Sequence, residues 1–470
     1  MLKQTPRSLR LFILSSAVFL TVLDIFIVNG ALPVIKSGVG GSDADAQLVI
    51  VLYVLGYAIF LITGGRLGDY YGKKRMFIWA MLAFVITSAG CGVANTAWQL
   101  NAARFLQGIS AACLIPQSIS FIQHLFPEHD ERTKAFAIYG SIGGAASVIG
   151  QFLGGLLPDQ SVIIEGWRLI FLINVPIGIV SAILAFSYMP RDRGTVSGKI
   201  DRSGIILLTC ALISLIYPLV SGVENNWPMW SFLMLGLAVM LLAVFWFVQK
   251  KKLIGGRQPL IDMRLFGFRD FNIGLAAVLF YFMVQDSYFL INVFLFQSGF
   301  GFTASHTGIL FVYQGIGFVV ASVFATVLIP KFGKKMLQAG VVVMISGLSG
   351  HILCLDSPAV PAGVFKVVLF VYGLGCGTVL PSLLSLALKS IPAEFAGVAS
   401  GMYATFQQTA IALGVGVTGG IFFDHLGNGD SAERYLSAYR YATLVNIGFL
   451  ILVAIFLYLL PEQRKKRAAN

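Results

Sequence analysis

Apolar runs long enough to cross a hydrocarbon core recur along the whole chain, and nothing else in the sequence restricts the fold so strongly. A bilayer core about 30 Å thick needs about 20 apolar residues in a helix, and in lipid only helices and closed barrels satisfy every backbone polar group. Fourteen such runs are found, at about 11–34, 46–66, 76–96, 98–125, 134–157, 167–189, 203–221, 228–249, 270–298, 304–329, 336–354, 360–388, 395–423 and 439–460. Of the 470 residues 57% are hydrophobic and 11% charged, against the roughly 25% charged residues of a soluble domain. The chain is therefore read as an all-α integral membrane protein. An even number of spans puts both termini on one side. Lys3, Arg7 and Arg10 precede the first run as in a signal peptide, but the run is too long and lacks a small-residue cleavage site, so it is read as a retained span.

The net charge of +12 raises the question of a polyanionic partner. Of the 33 Lys and Arg, all but six (Lys36, Arg104, Arg168, Lys366, Arg434 and Arg440) fall in the termini and the even-numbered loops. That asymmetry is the positive-inside pattern, which places both termini in the cytoplasm of a cell-membrane protein and accounts for the charge without nucleic acid. The basic "RKKR" at 464–467 is read as a flank of the last span. The five cysteines lie in predicted helices and are read as small packing residues rather than a disulfide framework.

An internal repeat organises the spans. Gly108, Pro116 and Pro127 recur as Gly373, Pro381 and Pro392 at offset 265, "YYGKKRM" recurs as "KFGKKML" at offset 261, and Asp24 is echoed by Asp286 at offset 262. Helices one to six thus correspond to nine to fourteen. The expected architecture is two six-helix bundles related by a pseudo-two-fold along the membrane normal, residues 1–200 and 253–470, with an inserted helix pair at 201–252.

Asp24 and Asp286 are the acids placed at mid-membrane depth. A carboxylate there costs on the order of 3 kcal/mol on insertion scales, so such residues face a protein interior or cavity and mark function. Arg104 in the fourth helix lies at nearly the depth of Asp24, roughly 10 against 15 Å below the same surface at 1.5 Å per residue, and can pair with it. A purely structural ion pair is the bland reading. Around Asp286, helical spacing puts Phe282, Met283 and Phe289 on its face, a surround suited to a bulky lipophilic cation, although lipid-facing packing explains the rings equally well. Asn29, Gln107, Asn292, Gln407 and Gln408 are weaker candidates for lining a cavity. His351 stands alone and is not read as a ligand. No HExxH, CxxC, P-loop or nucleophile elbow is found, and the longest loop, of about 20 residues, leaves no room for a folded extramembrane domain.

"GGRLGDYYGKKR" at 64–75 resembles the signature loop between helices two and three of the major facilitator superfamily, with matches at Gly65, Leu67, Asp69, Gly72, Lys73 and Lys74, followed by Arg75. "LDIFIVNGALP", "RFLQGISAA" and "GWRLIFLINVPIG" resemble further signatures of its fourteen-helix drug:proton antiporter branch. The resemblance implies that the loop latches the cytoplasmic gate, with Asp69 meeting the opposite half when the transporter opens outward, and that Asp24 and Arg104 serve proton coupling. The fifth helix, "GSIGGAASVIGQFLGG", spaces Gly140 and Gly144, then Gly150 and Gly154, with Gly155, for close packing; it resembles the antiporter motif but carries Gln151 where that motif usually has proline. The expectation is a monomeric, cofactor-free, proton-coupled exporter of hydrophobic, cationic small molecules, not an enzyme. The competing reading is an exporter of an endogenous metabolite, lipid or antibiotic.

Overall fold

A computed structural model describes residues 6–160, 164–190, 201–257, 259–354, 361–388, 391–392, 395–427, 429 and 431–460. The basic run at 464–467 lies outside the described residues. Among the described residues fourteen helices are long and apolar enough to cross a membrane: α1 (Arg7–Gly38), α2 (Asp43–Tyr71), α3 (Lys73–Gly92), α4 (Ala97–Leu125), α5 (Lys134–Asp159), α6 (Gly166–Tyr188), α7 (Arg202–Gly222), α8 (Met229–Ile254), α9 (Arg269–Gly299), α10 (Ala304–Ala325), α11 (Lys334–Cys354), α12 (Gly363–Leu384), α13 (Val398–Leu426) and α14 (Ala432–Leu459). Among the described residues there is no strand.

The helix ends follow local chemistry. Ser42 and Asp45 form a reciprocal capping box that starts α2, and Gly72, with φ +95°, makes the reversal between α2 and α3 that a side chain would resist. The face on which α1 begins and α14 ends is the termini face; the opposite one is the far face.

The repeat is visible in the packing. In the first bundle α2 packs on α4, α1 on α5 and α6, and α3 on α4; in the second α10 packs on α12, α9 on α13 and α14, and α11 on α12. The closest approaches correspond residue by residue. A Cβ on Gly56 would lie 2.4 Å from the Phe105 carbonyl oxygen, and one on Gly317 would lie 2.3 Å from that of Phe370. Glycine is required at both places because the helix backbones touch. The offsets are those of the sequence, 261 for α2 and α10 and 265 for α4 and α12.

Helices α7 and α8 pack mainly on each other, and α7 also lies against α2 and α13. In the most apolar stretch of α8 only 17% of the residues are buried, against 89% in that of α9, so α8 is peripheral and α9 central. Two expectations are corrected. A Cβ on Gly140 or Gly144 would meet no atom within 4 Å, because that part of α5 presents them to open space rather than to a neighbouring helix. Of the cysteines, Cys91, Cys113 and Cys376 are buried packing residues, whereas Cys210 and Cys354 are exposed; all five are free.

Candidate functional site

Asp24 and Arg104 are paired. Both are sealed, at 0% and 1% side-chain exposure, and the guanidinium Nη1 donates to Asp24 Oδ2. Asp24 Oδ1 accepts from Gln107 Nε2 and from Asn174 Nδ2, each at 2.9 Å. Arg104 Nε donates to the Val49 carbonyl at 3.0 Å, Nη1 also reaches Gln107 Oε1 at 2.7 Å, and the guanidinium lies 4.3 Å from the Tyr53 ring centre. Two membrane charges are tolerated only when paired and saturated with hydrogen bonds in this way. Gln107 therefore belongs to this pocket within the first bundle, not to a cavity between bundles. Sequence reasoning missed Asn174, which also donates to Ser88 Oγ at 3.2 Å. The signal was present, since Asn174 is the polar residue inside "LINVPIG".

Asp286 is placed differently. It is buried, and it accepts from Asn29 Nδ2 at 3.1 Å, a bond from α1 of the first bundle to α9 of the second. Among the described residues no cationic side chain pairs with it. Phe289, one turn on, stands edge-on to Phe26 of α1 at 5.6 Å and to Phe311 of α10 at 5.3 Å. Asp286, Asn29 and Phe289 thus meet at the seam between the bundles. Phe282 and Met283 are buried on α9; Phe282 packs edge-on to Tyr281, and the Met283 backbone runs against Gly414 of α13.

Asn292 is not brought to that seam: it donates to its own helix at Tyr288 and accepts from Tyr439 of α14, within the second bundle. Gln408 is buried on α13 with its amide oxygen unpartnered, and Gln407 is half-buried. His351 is fully buried; its Nε2 lies 3.3 Å from the Tyr288 hydroxyl, whose ring stacks on Tyr372.

At the start of α3, Lys74 donates to the carbonyls of Phe186 and Met189 at 2.7 Å, capping the end of α6 with a cation. Lys334 repeats the arrangement at the end of α14, on Tyr458 at 3.1 Å and on Leu460. Asp69 and Lys73 are half-buried and Arg75 is exposed. Gly65 has ordinary room, its nearest neighbour Pro116 at 3.6 Å. The close approaches are made instead by Gly64, against the Ala112 carbonyl, and Gly68, against the Gln117 amide. Arg66 reaches the Pro259 carbonyl at 2.7 Å.

The glycines of α5 do two jobs. Cβ atoms on Gly150 and Gly154 would strike the Leu23 and Ile27 carbonyls of α1 at 2.9 and 2.2 Å, inside the first bundle. One on Gly155 would strike the Ala304 carbonyl of α10 at 2.5 Å, across the seam. Ser305 N donates to Asp159 at 2.9 Å and Gln297 to the Gly30 carbonyl at 2.8 Å, so the far-face ends of the two bundles are closed on each other.

Known proteins share this plan. The chain is 34% identical over 424 residues, 90% of its own length and 73% of the relative's, to a protein named "Probable actinorhodin transporter" from Streptomyces coelicolor. It is 29% identical to "Puromycin resistance protein pur8" from Streptomyces alboniger, covering 97% and 92% of the two chains. A bacterial homologue of the human lysosomal transporter Spinster, solved in an inward-facing conformation, superimposes with a TM-score of 0.70 at 15% identity over 97% of this chain and 96% of that one; it shares the fold. Residues 14–415 match the sequence profile of the Major Facilitator Superfamily. With fourteen spans, two six-helix bundles built on one repeat and this match along most of its length, the chain belongs to the major facilitator superfamily of membrane transporters.

Proposed function

We propose that this transporter exports hydrophobic cations in exchange for protons, by alternating access between its two bundles. The observation that carries the reading is Asp286: a buried carboxylate at the seam, held by one amide from the opposite bundle and walled by Phe26, Phe289 and Phe311. A lipophilic cation satisfies such a carboxylate by charge and the rings by cation–π contact. Asp24 with Arg104 is the proposed proton-coupling pair, since a carboxyl's proton affinity follows its donors, its neighbouring charges and its access to water. In this reading Gly65, Asp69, Gly72, Lys73, Lys74 and Arg75 form the gate on the termini face, which is cytoplasmic. Residues 1–200, 201–252 and 253–470 act as first bundle, inserted pair and second bundle. The protein works as a monomer in the cell membrane.

The 34% identity to a protein named as an actinorhodin transporter favours a second reading, export of an antibiotic or other metabolite made by the host. Purified protein in vesicles with an imposed pH gradient tests both. Uptake of several unrelated cations that collapses with the gradient, and is lost in Asp24→Asn, supports drug–proton exchange. Transport of a single metabolite that ignores unrelated cations favours the second reading.

A further inference from the structure

The segment from Pro259 to Phe268, between the inserted pair and α9, touches the first bundle, the inserted pair and the second bundle. On α2, Arg66 donates to the Pro259 carbonyl at 2.7 Å, and it lies within electrostatic reach of Asp69 and Asp201. On the inserted pair, Asp201 gathers donors from Gly204 N at 2.7 Å, Leu260 N at 3.0 Å, Gln249 Nε2 at 3.0 Å and Lys252 Nζ. Gln249, wholly buried, accepts from Leu260 N at 2.6 Å and Ile261 N at 3.3 Å. Trp246 of α8 packs on Phe266 at 5.1 Å. Just ahead of α13, the Phe395 ring takes the Arg264 guanidinium at 4.8 Å and packs beside Phe268 at 6.3 Å.

The position matters because α2 and α13 form one of the two long seams between the bundles. Going from the far face, the seam runs from Gln47 against Gly419, through Thr405 donating to the Ala58 carbonyl at 3.3 Å, to Gly401 passing Ile62. Toward the termini face, Arg66 stands one turn beyond Ile62 on α2, and Phe395 lies just ahead of α13. Both are held by the segment 259–268.

We propose that this segment is a strap, anchored on Asp201 of the inserted helix pair, that holds the termini-face ends of α2 and α13 together and restrains opening on that face. It assigns a task to helices α7 and α8. Their ends, closed by Asp201 and Lys252, form a fixed post outside both bundles, to which the chain entering the second bundle is tied. The strap requires the two faces to open in turn, but neither proton coupling nor any particular cargo.

Spin labels at Tyr71→Cys, at the end of α2, and Val398→Cys, at the start of α13, read the opening in a background where the exposed Cys210 and Cys354 are serine. In full-length protein in nanodiscs, Arg66→Gln, Arg264→Ala and Asp201→Ala should each move population to longer distance. Loss of the Arg66 hydrogen bond to the Pro259 carbonyl corresponds to roughly a tenfold rise in the open fraction, and loss of the Arg264–Phe395 cation–π contact to a rise of about two- to fivefold. Arg7→Gln, which breaks the exposed Arg7–Glu131 pair within the first bundle, is the control and should leave the distances alone. Unchanged distances in the strap variants, or an equal change in the control, would overturn the proposal. If Asp201→Ala does not fold, Arg66→Gln and Arg264→Ala decide, because they leave the anchor whole. The distances are read without cargo or gradient, so failure of the drug–proton reading leaves this test intact.

Discussion

Gly155 offers a direct handle on the closure of the far face. A Cβ there would sit 2.5 Å from the Ala304 carbonyl and 2.7 Å from Gly308 Cα, whereas ordinary contact begins at 3.4 Å, so α10 must retreat by about 0.9 Å for alanine to fit. Both obstacles are backbone and cannot rotate away. Overpacking of this kind costs about 1–3 kcal/mol. Because the clash exists only while α5 and α10 are together, the cost falls on the closed far face and raises the open-to-closed ratio about 5- to 150-fold. Labels at Gln160→Cys and His306→Cys, at the far-face ends of α5 and α10, would register the change as a shift to longer distance. Two comparisons separate this from general damage. Gly154→Ala strikes Ile27 within the first bundle and should lower thermal stability without the shift, and Gly140→Ala, with open space around it, should do neither. A Gly155→Ala protein with the same distances as Gly140→Ala would refute the reasoning.

Asp24→Asn should abolish gradient-driven transport while the protein still inserts and folds, and wild-type pH dependence of vesicle uptake in that variant would exclude Asp24 from coupling. Arg104→Ala leaves the buried Asp24 carboxylate without its cation, at a cost of about 3–5 kcal/mol, so expression should fall and should recover in part in the double mutant. Asp286→Asn should weaken export of cations, dications more than monocations, and spare neutral compounds; competition assays showing equal loss for all would make it a general coupling site instead. At the anchor of the strap, burial pushes the Asp201 carboxyl up, but donors from Lys252, Gln249 and Gly204 outweigh it and hold it at about 2, against an ordinary 3.8. A depressed value adds stability that is complete above the unfolded value and is lost as pH falls through about 2. The gap in melting temperature between wild type and Asp201→Asn should therefore be constant from neutrality down to about pH 5 and close in stronger acid.

What could be read from the sequence was what one-dimensional patterns record. The fourteen spans follow from run length, the repeat from glycine and proline spacing, and the Asp24–Arg104 pair from matching depths of opposite charges in apolar runs. What could not be read depends on how helices turn toward each other. An asparagine in an apolar helix gives the same signal whether it saturates a buried acid, as Asn174 does, bridges bundles, as Asn29 does, or bonds within one, as Asn292 does. Likewise the run Gly64-Gly65 does not say which glycine touches α4; only the helix phase makes it Gly64. The strap was hidden for another reason: it is held through the Pro259 carbonyl and the Leu260 and Ile261 N–H groups, which no side-chain pattern announces, and Arg66 reaches that carbonyl from almost 200 positions away.

The two acids differ because the repeat slips by one residue. Asn174 of α6 and Asn446 of α14 are 272 residues apart, as are Phe186 and Tyr458, whose carbonyls accept from Lys74 and Lys334. Asn174 reaches Asp24, but Asn446 accepts from Ser287, so it is Ser287 that stands in the place of Asp24 and Asp286 lies one residue before it. On an α-helix one residue is a turn of about 100°. That turn takes the second carboxylate out of its own bundle and aims it at Asn29 of the other. Where Arg104 and Gln107 meet Asp24, the second bundle has Leu369 and Tyr372, neither of which offers it a cation. Among the described residues every polar partner of Asp24 lies in the first bundle and travels with it, whereas the Asn29–Asp286 bond must break whenever the bundles part along α1 and α9. Under the proposed function, a cation that takes Asp286 from Asn29 would remove a bond that favours the present arrangement, and so would bias the conformational equilibrium by occupying the site. Asn29 stands five residues from Asp24 on the same helix, about 7.5 Å along it, so α1 is the rigid element that joins the seam to the sealed acid pocket, and under the proposed function cargo and proton would act on each other through it.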